Sequence, residues 1–204
     1  MNRRRYRKLP RTSPDRIQPF MQIRNSGLRY GAIAQLLHWA VVLLIICQFV
    51  LALRADALPL GPAKISVLAL HKSSGMTIFA LAVARLLWRA FNPAPPLPSP
   101  TPRWQRFAAH LSHIVLYGLI MITPLLGWLM SSARNFPVSW FGVFTLPDLI
   151  EPSRARYDQL HEAHEIVAYT LLVVALLHAA AALKHHFIDG DDVLRRMLPK
   201  LPRQ

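Results

Sequence analysis

The sequence predicts an all-α membrane protein, a four-helix transmembrane bundle with both termini in the cytoplasm. Three observations carry this expectation. First, 53% of the 204 residues are hydrophobic, the mean hydropathy is positive, and only ten acidic residues are present. That composition is too apolar for a soluble domain of this size. Second, the chain has four long apolar runs, about Ala32 to Leu53, Ile65 to Ala84, Phe107 to Ala133 and Ile166 to Leu183. Each is near the roughly 20 residues needed to cross a bilayer.

The third observation is where the charge lies. Nine Lys and Arg precede the first run, four lie between the second and third, and five follow the fourth. The other six, Arg54, Lys64, Lys72, Arg134, Arg154 and Arg156, share their side with six of the ten acids, so the formal charge there is zero. Such an excess places both termini and the middle loop on the cytoplasmic side, beside anionic lipid headgroups. It also removes the nucleic-acid reading that a net charge of +14 would raise in a soluble protein.

Taken in order, residues 1–29 are basic, Pro-rich and aperiodic, and predict a disordered or surface-lying tail. The first run follows about thirty residues that include many arginines, and no small-residue cleavage site follows it, so it reads as a retained span. The one cysteine, Cys47, lies inside it, which excludes an internal disulfide and a C-x-x-C-H haem attachment. Asn92 to Pro102, NPAPPLPSPTP, cannot be helical and reads as a stiff linker dividing the spans into two hairpins. Arg134 to Gln159 is the longest outer connection; NFPVSWFGVF has interfacial aromatic spacing and EPSRARYDQ reads as a polar turn. Residues 188–204 form a basic C-terminal tail, leaving 30–187 as the membrane domain.

Nine histidines stand out in so short a chain. His164 and His178 are fourteen residues apart, which puts them within roughly 40° on one helical face and about 21 Å apart along the axis. That separation suits two stacked sites. The alternating direction of the spans puts His164 at the depth of His71, and His178 nearer the depth of His38. Two imidazole pairs result, one in each leaflet, and facing imidazoles in a helix bundle are the ligand set of a low-spin b-type haem. Gly75, four residues after His71, and Ala182, four after His178, leave room for a macrocycle. On spacing alone, proton transfer, helix packing and zinc binding stay open for these histidines.

The segments QLLHWAVVLL, LALHKSSGMTIF, FAAHLSHIVLYGLIMITPLLGWLM and HEIVAYTLLVVALLHAAAALKHHF, in this order around a Pro-rich middle loop, resemble the bacterial cytochrome b-561 family. The resemblance runs from about Tyr30 to Pro199, and LHAAAALKHH followed by RRMLPK is its most specific block. It implies two non-covalent b haems, with His71 and His164 on the outer iron and His38 and His178 on the inner one. It further implies an oxidoreductase of the bacterial inner membrane, passing electrons between a one-electron donor such as periplasmic superoxide and ubiquinone. The chain departs from the family pattern in its long basic N-terminus and in Lys72. Two other functions stand beside this one: a membrane anchor passing quinol electrons to a periplasmic redox partner, and a haem-free transporter or scaffold with functional histidines.

Further candidates surround the ligands. His110 and His113 could hold propionates of the inner haem, or sit at the lipid interface. His185 is a candidate for the quinone headgroup, against a solvated basic helix end. Lys72 and Arg134 could draw a small anion to the outer haem edge, against ordinary loop charge. His161 and Glu162 miss the H-E-x-x-H zinc spacing by one residue. Arg85 and Arg89 read as snorkelling side chains, and Pro124 with Gly127 as a bend or thinning of the third span.

Overall fold

The computed structural model describes residues 22–98 and 101–199. Residues 1–21 of the basic N-terminal tail, 99–100 of the linker and the last five residues of the C-terminal tail lie outside the described residues. Four long helices dominate: α1 (Ala32–Ala57), α2 (Pro62–Phe91), α3 (Arg103–Ala133) and α4 (Arg154–Phe187). A two-stranded hairpin, β1 (Ser139–Trp140) and β2 (Phe144–Thr145), follows α3, and a one-turn helix α5 (Val193–Met197) follows α4. All four long helices are long and apolar enough to cross a membrane. Their outward faces carry large exposed apolar side chains such as Leu43, Val50, Ile114, Val173 and Leu177, a surface that lipid solvates.

Each helix begins or ends beyond its apolar run, because helical hydrogen bonding continues into the interface where polar side chains are solvated. Pro62 starts α2 at a position where its missing N–H costs nothing. The largest departure is at α4. The segment EPSRARYDQ, expected as a polar turn, is non-helical only as far as Ser153, which is extended. The Ser153 hydroxyl accepts a bond from the Arg156 N–H at the cap, and Arg154 to Gln159 form the first turns of the helix.

The closest helix pairings are α1 with α2, α3 with α4 and, less extensively, α2 with α3. Val41, Ile78, Ala82, Ile120 and Leu171, drawn from all four helices, form the buried core cluster. Leu171 lies seven residues from both His164 and His178, so this apolar layer is about 10 Å along the axis from each. It separates the two levels of histidine.

Residues 22–31, residues 188–199 and the described part of the α2–α3 connection share one end, called the basic end below. There the described residues on either side of the bundle are bonded to one another. Tyr30 N–H and the Gln35 amide donate to the Arg196 carbonyl, Trp39 Nε1 donates to Met197 O at 3.0 Å, and Arg29 donates to the carbonyls of Arg195 and Leu198. Asn25 donates to the carbonyls of Asn92 and Pro93, and Arg196 to that of Pro96. Over their described parts, residues 22–29 and 188–199, the expected basic tails form an ordered cap, in which side chains and the Tyr30 N–H satisfy backbone carbonyls.

At the opposite end the hairpin docks on α2. The Ser73 hydroxyl accepts from Phe141 N–H at 3.0 Å and bonds to Ser139 O at 2.9 Å, while Trp140 Nε1 donates to Thr77 Oγ1 at 3.1 Å. Three residues, 141–143, join the strands; Phe141 and Gly142 both have positive φ, 49° and 76°, as the central residues of the tight turn that the Val143 N–H closes on the Trp140 carbonyl at 2.9 Å. Trp140 turns inward, while Phe141, Val143 and Phe144 are exposed.

Candidate functional site

The histidines gather at two levels, and each level is built differently. Near the opposite end, the rings of His71 on α2 and His164 on α4 have centres 6.4 Å apart, with planes at 71°. Between them a cavity of about 290 Å³ opens, bordered by Gln48, Gly75, Gly127 and Tyr169 and floored by Ile78 and Leu171 of the apolar layer. His164 is oriented by its Nδ1, 3.0 Å from the Thr123 carbonyl, the residue before Pro124 in α3. An Nδ1–H that donates to a carbonyl leaves Nε2 unprotonated and free to bind a metal.

Gly127 makes room for that ring. A Cβ there would stand 3.4 Å from His164 Nδ1 and 3.2 Å from Cε1, the latter closer than most Cβ contacts, so the ring would have to give way. On α2, Gln48 Nε2 donates to the carbonyl of His71 at 2.9 Å, passing over Gly75, where a Cβ would meet it at 2.8 Å. His71 Nδ1 and Gln48 Oε1 are both buried without a hydrogen-bond partner. Two imidazole nitrogens bound in line to one metal at about 2 Å each put their ring centres about 6 Å apart. The His71–His164 spacing, with a cavity between glycine notches, fits a haem held by two imidazoles.

At the basic end, the His178 ring meets His113 of α3, with centres 5.2 Å apart and planes at 63°. That is closer than an axial pair stands. His38 packs against Trp39 at 5.2 Å and receives a bond on Nδ1 from Arg85 Nη1 at 2.8 Å. The charge of Arg85 reaches His178 and His113 as well as His38, so the three imidazoles and this guanidinium form one cluster. An Nδ1 that accepts carries its hydrogen on Nε2, so ligation of a metal by His38 Nε2 requires Arg85 to withdraw. With that movement, the imidazole donor set of His38 and His178 is chemically suited to the same group.

The remaining candidates have partners of their own. Lys72 Nζ donates to Phe136 O at 2.7 Å and lies 3.3 Å over the Phe136 ring, which ties α2 to the segment after α3. The Arg134 guanidinium lies over Tyr157 at 4.6 Å. His185 Nδ1 is 2.6 Å from an Asp191 carboxylate oxygen and 3.2 Å from one of Asp189, which also pairs with Lys184. His110 bonds back to the Arg106 carbonyl of its own helix, and His161 stacks near Tyr157. Two supports were not foreseen, Gln48 and the Thr123 carbonyl. A glutamine inside an apolar run was a usable signal; a backbone carbonyl gives none.

A model of the prokaryotic cytochrome b561 family matches residues 29–200. Cytochrome b561 homolog 2 of Escherichia coli (strain K12) is 37% identical over 182 residues, 88% of this chain and 96% of that protein. Cytochrome b561 homolog 1 of the same organism is 29% identical over 168 residues, 80% of this chain and 93% of that protein. A Yersinia pestis protein named "Probable superoxide oxidase CybB" is 31% identical over 174 residues, 84% of this chain and 97% of that protein. The chain therefore belongs to the prokaryotic cytochrome b561 family, bacterial membrane proteins of electron transfer that bind b-type haem.

Proposed function

We propose that this protein carries electrons across the bacterial inner membrane through two b haems, one held by His71 and His164 and the other by His38 and His178. The observation that supports this reading best is the His71–His164 pair, 6.4 Å between ring centres across a cavity of about 290 Å³. A second histidine cluster lies beyond the apolar layer of Val41, Ile78, Ile120 and Leu171. When bound between two imidazoles, haem supplies reversible one-electron carriage with no open iron position.

The chain's own residues set the conditions for that carriage. Thr123 O fixes the tautomer and plane of His164, Gln48 clamps the backbone of His71, and Gly75 and Gly127 keep the ring space clear. The apolar layer keeps water from joining the two levels. On the charge asymmetry, the opposite end faces the periplasm and the basic end the cytoplasm. Arg134, exposed and without a carboxylate partner among the described residues, adds positive potential where a small anionic donor would approach. Superoxide is the donor we favour, on the name of the Yersinia pestis relative. Ubiquinone is the acceptor, with the His185–Asp191 pair at the basic end placed to pass protons to a reduced quinone headgroup.

The test is kinetic. Purified protein in detergent is exposed to a superoxide flux while haem absorbance is followed, then mixed with a short-chain ubiquinone. Rapid haem reduction abolished by superoxide dismutase, followed by reoxidation with quinone, is the expected result. Haem that superoxide leaves oxidised while quinol reduces it would reverse the direction and make the protein an anchor for a periplasmic partner.

A further inference from the structure

Arg85 and Arg89 pose a problem that the family assignment leaves unsolved. Both lie on α2, four residues apart and so on one face, and that face points into the bundle. The Arg85 guanidinium bonds His38 and lies 5.6 Å from the Tyr117 ring centre; that of Arg89 lies 5.9 Å from the same ring. The charges of both also reach His113 and Tyr30. Burial pushes the Tyr30 phenol above its usual value, while Arg89, Arg85 and Arg196 pull it back, so its surroundings are cationic. Among the described residues, neither Arg85 nor Arg89 has a carboxylate partner. The described acids of this end are committed elsewhere: Asp189 to Lys184 and His185, Asp191 to His185, and Asp192 to Arg195. Two inward guanidiniums in a membrane helix without an anion are costly.

We propose that Arg85 and Arg89 clamp the two propionate carboxylates of the haem ligated by His38 and His178, Arg85 leaving His38 Nδ1 to do so. This rests on the di-haem reading above. Two forks four residues apart on one face match two carboxylates on one edge of a macrocycle, and each guanidinium can donate two parallel bonds to one carboxylate. The exchange of partner also resolves the conflict at His38, because an Nδ1 released by Arg85 can carry the hydrogen and leave Nε2 for the iron. The opposite-end site has no equivalent need, since its nearby cation, Lys72, is bonded to Phe136 O. An anionic lipid headgroup would offer phosphate oxygens to the same forks, so the experiment separates the two sources.

Full-length protein, as wild type, R85Q, R89Q, R85Q/R89Q and the conservative R85K, is purified in detergent, and both haems are titrated potentiometrically. Removing positive charge beside one haem disfavours its reduced form. We expect the midpoint of one haem to fall in R85Q/R89Q by at least a tenfold change in its one-electron equilibrium, about 59 mV. The other haem stays unshifted, and R85K recovers most of the change. The second arm needs no variant at the clamp. Protein with H71A, which on the di-haem reading retains only the basic-end site, is reconstituted with haem b or its dimethyl ester, whose propionates carry no charge. At least tenfold weaker binding of the ester, lost when R85Q/R89Q is added, supports the clamp. Equal binding of haem and ester with unshifted midpoints in wild-type protein holding two haems overturns it and leaves the di-haem reading intact. Loss of co-purified anionic phospholipid in R85Q/R89Q with neither haem effect assigns the forks to lipid and also overturns it. Wild-type protein without haem removes both proposals together.

Discussion

The two ends of the bundle hold histidines by contrasting means. At the opposite end the supports are neutral: a carbonyl on His164, an amide on the His71 backbone, and two glycines where side chains would intrude. At the basic end the supports are charged and aromatic: Arg85 on His38, His113 against His178, and Tyr117 under two guanidiniums. The same ligand type thus meets two electrostatic settings. On the di-haem reading proposed above, positive charge would favour the reduced form of a haem at the basic end, and the contrast would give the two ends different midpoints.

Breaking one end should leave the other standing. The largest effect is expected from Gly127→Leu, because even a single Cβ comes within 3.2 Å of the His164 ring. It should remove the opposite-end haem, halving pyridine haemochrome absorbance per chain while the remaining haem keeps its midpoint. Sharpening comes from the wild-type titration itself. Two resolved midpoints are expected, and the Gly127→Leu protein should retain the higher one.

Smaller effects concern the covers of each end. Ser73→Ala deletes the hydroxyl that holds Phe141 N–H and Ser139 O, leaving a backbone donor unpaired at a cost of about 1–3 kcal/mol. Amide hydrogen exchange should quicken over residues 139–145 and stay unchanged in α5. Trp39→Phe removes one neutral bond, to Met197 O, worth about 1 kcal/mol. Exchange should then quicken at α5 and leave the hairpin as it was, the reverse pattern.

The four helices were legible in the sequence because lipid imposes one long apolar run per span, and alternating direction put His71 and His164 at one level, where their ring centres stand 6.4 Å apart. Rotation was less legible. Periodicity put His164 and His178 on one face of α4, yet it could not say that His113 would meet His178, or that Arg85 would turn inward to His38 instead of snorkelling. Those contacts depend on how α3 and α2 are rolled about their axes. The start of α4 reads as a turn in the sequence because Pro152, Ser153 and the charges after it are turn residues, and the Ser153 cap that makes them a helix start has the same composition. The hairpin was hidden by its brevity, two residues per strand, and by a positive φ at Phe141 that no phenylalanine advertises. The ordered cap was hidden because its bonds go from Asn25, Arg29, Gln35 and Trp39 to backbone carbonyls, which every sequence has.

The most direct measurement is haem stoichiometry in protein with single histidines removed. Wild type, His38→Ala, His71→Ala, His164→Ala and His178→Ala are purified in detergent, checked for native size, and measured as pyridine haemochromes with reduced-minus-oxidised spectra. Two b haems per wild-type chain are expected, falling to about one in each variant, with His71→Ala and His164→Ala sharing one residual spectrum and His38→Ala and His178→Ala sharing the other. Folded wild type without haem, or two haems surviving the loss of His71, would contradict the assignment of one haem to each end.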